Sequence, residues 1–95
     1  PKSERPKAHR SILMAMNPTQ FRLDLMAAMD ENGRSTTEEL MGYVKAEELG
    51  LGYEETKAAL DGLLEGDLIV WEAGGEHHLW RLSPQGRDYL ATARA

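Results

Sequence analysis

The sequence predicts one small, mainly α-helical domain that carries a single antiparallel β-hairpin, and three observations predict it. Apolar residues recur at helical spacing in three blocks between about residues 18 and 65, with Gly-containing breaks between the blocks. From Leu68 to Leu82 the pattern changes to a pair of strand-like runs around Gly74-Gly75. Ser83-Pro84 then restarts a helix, with serine as cap and proline at the first helical position. At 95 residues and 41% hydrophobic, the chain makes one domain with a thin core, so pairing with a second copy would be physically useful.

Each element has its own signal. Asn17-Pro18 reads as a cap and first turn, opening a helix that runs to about Asn32 and stops at Gly33. Phe21, Leu25, Ala28 and Met29 share one face of it, which is the core face. Ser35 with Glu38, or Thr36 with Glu39, has the spacing of a capping box. Either pair starts a second helix that points Leu40, Tyr43 and Val44 inward. Its end is open, because Ala46-Glu47-Glu48-Leu49 could continue it up to the Gly50-Leu51-Gly52 turn.

The third helix, Tyr53 onward, has two contrasting faces at about 100° per residue. Leu60, Leu63, Leu64, Thr56 and Tyr53 cluster on one side, with Lys57 at the margin. Glu54, Glu55, Ala58, Asp61, Gly62 and Glu65 share the other. The hairpin follows, with Trp71 and Trp80 as cross-strand neighbours that pack rather than stack on bases. Leu79 and Arg81 alternate with His78, Trp80 and Leu82. In the last helix Tyr89 and Leu90 pack back on the domain.

From Leu40 to Gly86 this order of elements resembles the back half of a winged helix-turn-helix domain. Thr37 to Val44 looks like the helix that braces against the DNA backbone. Tyr53 to Ile69 is similar to a recognition helix with spaced leucines, running through a Gly-containing turn into the first wing strand. The wing ends in Leu82-Ser83-Pro84-Gln85-Gly86, a Ser-Pro-x-Gly helix start. The second helix and its turn are longer than the tight family turn. The resemblance implies a DNA-binding regulator, with terminal helices that often build a dimer.

Charge argues against the usual mode of reading. In a DNA-reading helix the outward face meets phosphates and base edges, where Arg, Lys, Asn, Gln, Ser or Thr are expected. Here four of the six outward positions are acidic, which would repel phosphate and forgo the gain from counterion release. Glu54 and Glu55 also suit the positive end of a helix, so they need no partner to explain them. The net charge of −5 hides an asymmetry: Lys2, Arg5, Lys7 and Arg10 against Glu4 make residues 1–10 basic, while the rest of the chain is acidic. With Pro1 and Pro6 and no apolar periodicity before Ile12, residues 1–11 read as a flexible arm and 12–95 as the domain. The arm either serves as a solvated tail or contacts phosphate.

Two readings follow. In the first, the chain is a small winged-helix regulator that binds double-stranded DNA through Lys2, Arg5, Lys7 and Arg10, with Arg34, Lys57 and Arg81 in support. In the second, it is an interaction module whose Glu54, Glu55, Asp61 and Glu65 dock on a basic protein surface. Apolar residues left over from the single-face core, namely Ile12, Leu13, Met14, Met16, Leu23 and Met26, suggest a homodimer interface, unless Ile12 to Met16 folds over that face within one chain. No cysteine is present, which removes disulfides, thiolate metal sites and a cysteine nucleophile and fits an intracellular (cytoplasmic or nucleoid) setting. No apolar run is long enough to span a bilayer, so no membrane partner is expected. His77-His78 with Glu76 and His9 is the one arrangement resembling metal ligands, and adjacent strand residues point to opposite faces, so neither metal nor cofactor is expected. With no phosphate loop and no activated nucleophile, the chain reads as no enzyme.

Overall fold

The computed structural model describes residues 18–75 and 77–94. The order is α1 (Pro18–Asn32), α2 (Thr37–Val44), a 3-10 turn (Ala46–Leu49), α3 (Tyr53–Glu65), β1 (Ile69–Gly74), β2 (His77–Leu82) and α4 (Pro84–Arg94). This is the mainly helical, single-hairpin α+β arrangement that the sequence predicts.

Local chemistry sets the element ends. α1 stops where Gly33 adopts φ 77, and the Gly33 N–H donates to the Met29 carbonyl at 2.9 Å. Of the two capping boxes on offer, Thr36 with Glu39 forms: the Glu39 N–H donates to Thr36 Oγ1 at 3.1 Å and the Thr36 N–H to Glu39 Oε1 at 2.8 Å. Ser35 is instead committed to the sheet. α2 ends at Lys45, which takes the left-handed conformation with φ 56, so Ala46–Leu49 is a separate 3-10 turn rather than a continuation. Ser83 caps α4, its hydroxyl accepting from the Gly86 N–H at 2.9 Å.

β1 and β2 pair antiparallel, with Ile69 opposite Leu82 and Trp71 opposite Trp80. Ser35 adds a third, one-residue strand on the far side of β2: its N–H donates to the Trp80 carbonyl at 3.0 Å and the Trp80 N–H donates back at 2.8 Å. Trp80 also donates its indole N–H to Thr37 Oγ1 at 3.0 Å in a buried setting. The wing is thereby tied to the start of α2 through one residue.

The core lies around α1, which packs against α2, α3, α4 and β2. Because four elements touch it, its buried residues are not confined to one stripe. They run from Ala28 through Phe21, Leu25 and Met29 to Met26, a sector roughly 160° wide. This corrects the expectation for Met26, which is fully buried inside the chain and is no part of a surface. Leu23 is half-buried and packed against the same core. Tyr43 also departs from the prediction: α2 buries Thr37 and Leu40, with Met41 and Val44 partly covered, and Tyr43 stands about 100° from that stripe and is exposed.

Candidate nucleic-acid interface

α3 buries Thr56, Ala59, Leu60 and Leu63. Its inward stripe is thus narrower than predicted and displaced toward Ala59. Leu64 and Tyr53 lie on its flank and are exposed. The outward face is as expected from the sequence, with Glu54, Glu55, Ala58, Asp61 and Glu65 exposed. Two of its four carboxylates have local partners. The Gly52 N–H donates to Glu55 Oε1 at 2.9 Å, closing the first turn of the helix. Asp61 sits 3.4 Å from the Lys57 ammonium, one turn earlier. Gly62 is only half exposed because the Arg22 guanidinium of α1 lies over it, 2.7 Å from where a Cβ would stand.

Between the α3 flank and the wing runs an open groove of about 290 Å3, lined by Thr36, Glu38, Tyr53, Lys57, His78 and Trp80. The paired tryptophans have different surroundings. Trp80 is buried, whereas Trp71 is 46% exposed and meets the His78 ring edge-on with centroids 4.8 Å apart. The pair is packing at one end and open aromatic surface at the other.

The other face of the hairpin carries a compact charge cluster. Arg34 donates from Nη1 to Glu72 Oε1 at 3.0 Å, and Arg81 donates from Nε to Glu72 Oε2 at 2.6 Å. One guanidinium comes from the turn between α1 and α2, the other from β2, and they meet on opposite oxygens of one β1 carboxylate. The hydrogen bond from Arg81 and then that from Arg34 hold the Glu72 carboxyl below the usual carboxylate range, so it stays ionised at neutral pH. All three atoms groups remain open to water: the side chains of Arg34, Arg81 and Glu72 are 62%, 45% and 30% exposed.

The wing is latched at its base. The Ser83 hydroxyl donates to the Asp67 carbonyl at 2.6 Å, the Ser83 N–H donates to the Leu68 carbonyl at 3.1 Å, and a Cβ on Gly86 would collide with that Leu68 carbonyl. The Ser-Pro-x-Gly run therefore does two things at once: serine starts α4, and glycine lets α4 seat on the chain entering β1.

Of the predicted DNA-contacting residues, Arg34 and Arg81 come together on Glu72, while Lys57 lies on α3 in its own pair with Asp61. Lys2, Arg5, Lys7 and Arg10 lie outside the described residues, as do Ile12, Leu13, Met14 and Met16 and the metal candidates His9 and Glu76. Among the described residues no three His, Cys, Asp or Glu side chains gather as a metal site would need, and no helix is long and apolar enough to cross a membrane. The sequence reading missed the Ser35 bridge and the carboxylate shared by two arginines. Both join residues far apart in the chain, and no local signal marks them.

No family model matches the chain, and no curated protein matches it. Solved structures do. The transcriptional repressor CouR bound to a 23-mer DNA duplex is 28% identical, with a TM-score of 0.64 over 81% of this chain and 51% of that one. ZitR of Lactococcus lactis is 20% identical, with a TM-score of 0.65 over 92% of this chain and 64% of that one. The Zalpha domain of Carassius auratus PKZ in complex with Z-DNA is 20% identical, with a TM-score of 0.55 over 70% of this chain and 97% of that domain. The chain thus spans about half of CouR and under two thirds of ZitR, and nearly all of the Zalpha domain. By its element order, its bridged hairpin and these likenesses, the chain has the winged helix-turn-helix fold.

Proposed function

We propose that this chain is a winged-helix regulator domain that binds double-stranded DNA mainly through cations outside its third helix. The observation that carries the reading is the likeness to CouR in its DNA-bound form, at 28% identity over 81% of this chain. The cations assigned to phosphate are Lys2, Arg5, Lys7 and Arg10 of an N-terminal arm spanning 1–11, supported by Arg34, Arg81 and Lys57 of the domain 12–95. The exposed carboxylates of α3 oppose direct readout by that helix, because each would face phosphate without a donor to offer it. Binding of this kind is regulatory and not catalytic, and it belongs to an intracellular setting.

The domain works as a homodimer in this reading, joined through Leu23 together with Ile12, Leu13, Met14 and Met16. Two-fold symmetry would set two arms and two wings at a fixed spacing. Sedimentation velocity well above micromolar concentration checks this, and a monomer there would refute it.

A second reading has one specific observation in its favour. The outward face of α3 is open, and Glu54 and Glu65 join Glu55 and Asp61 on a surface suited to a basic protein partner. Deleting residues 1–10 separates the two. If DNA is the partner, the truncated chain binds a duplex far more weakly and with a flatter salt dependence, since four of the eleven Lys and Arg residues are lost. Unchanged isotherms across a salt series would remove the arm from the account.

A further inference from the structure

Two guanidiniums that converge on separate oxygens of one anion make the arrangement by which arginine grips phosphate as readily as carboxylate. In this wing the anion is internal. Arg34 Nη1 and Arg81 Nε contact the two oxygens of Glu72 at 3.0 and 2.6 Å, and all three side chains are open to solvent. The cluster carries two positive charges and one negative, so it keeps a net attraction for a second anion. The seat is held from three directions. Arg34 immediately precedes Ser35, whose two backbone bonds to Trp80 fix that turn beside β2. Arg81 is the next residue of β2, and Glu72 stands across the ladder on β1, two residues along and on the same face as Val70, the partner of Arg81.

We propose that Glu72 is a built-in competitor that occupies a phosphate seat formed by Arg34 and Arg81, and that a DNA backbone phosphate takes this seat by displacing the carboxylate. The inference rests on the DNA-binding reading and adds a regulation to it. The wing cations are masked at rest, which lowers indiscriminate attraction to nucleic acid. They are released where a backbone phosphate comes to lie beside them. Surface ion pairs of this exposure are weak enough for exchange, because their Coulomb gain is offset by hydration and side-chain entropy. The displaced carboxylate returns to water, and the two guanidiniums change one oxygen acceptor for another.

The test is duplex binding by the full chain, followed by fluorescence anisotropy with a short labelled duplex of arbitrary sequence across a salt series. Glu72→Gln keeps the side-chain size and removes the competing charge. It is expected to bind about tenfold tighter at low salt. The slope of log affinity against log salt should steepen by about 1, the signature of one more phosphate neutralised. Adding Arg34→Gln and Arg81→Gln to that variant should abolish the gain. If the unmodified chain binds and Glu72→Gln binds no tighter, the competitor is refuted while the DNA reading stands. If neither binds at low salt, both fall. Should Glu72→Gln fail to fold by circular dichroism, the Arg81 Nε–H resonance of the unmodified chain decides. A shift on duplex saturation supports acceptor exchange, and an unmoved resonance overturns it.

Discussion

The third helix and the wing occupy neighbouring parts of one small fold yet handle charge in opposite ways. On α3 the carboxylates are spread along one exposed face with a single lysine at its edge, and two of them are absorbed by the helix itself, Glu55 at its first turn and Asp61 with Lys57. On the wing one carboxylate is surrounded by two arginines drawn from separate elements. The first is a solvated helix face with a net negative field, and the second is a positive cluster held partly in check. A winged-helix fold thus says little about which surface would meet an anionic partner; the sign and pairing of individual side chains decide it.

The sharpest way to break this comparison is to detach the wing. Gly86→Ala places a Cβ against the Leu68 carbonyl at the hairpin base, where the contact is backbone and cannot swing aside. A loss of about 3 kcal/mol is expected in urea unfolding, with the wing arginines displaced. Thr37→Val acts on the other tie, leaving the buried Trp80 indole N–H without its acceptor. It should cost about 2 kcal/mol, read by the same unfolding curves, and quench or shift the fluorescence of Trp80. The smallest effect is expected on α3: Glu54→Gln, Glu55→Gln and Asp61→Asn together should leave the fold intact, because those side chains face water, and tighten non-specific duplex binding by about threefold through reduced repulsion. A triple variant that unfolds would show that this face is structural.

What the sequence made legible was local. Cap chemistry marks the starts of α2 and α4, Gly33 marks the end of α1, and the two-residue alternation marks both wing strands, because each depends on neighbours a few positions away. Burial was harder to read where it depends on how many elements surround a helix. Met26 falls outside a single α1 stripe yet is buried, since α1 is touched on several sides. Tyr43 and Leu64 fall near an apolar stripe yet are exposed, since α2 and α3 each bury a narrow one. The candidate site divides along the same line. The acidity of α3 can be read from consecutive residues, whereas the Arg34–Glu72 contact spans 38 positions and exists only once β1 and the α1–α2 turn are brought together.

The most direct test of the central claim, that DNA is met by cations away from α3, is to titrate the isotopically labelled full chain with duplex and follow every backbone and arginine side-chain resonance. The account predicts the largest shifts at Lys2, Arg5, Lys7 and Arg10 and at Arg34 and Arg81, with small shifts at Glu54, Ala58 and Glu65. Large shifts confined to Glu54 through Glu65, with the arm and wing unmoved, would contradict it, as would a spectrum that duplex leaves unchanged.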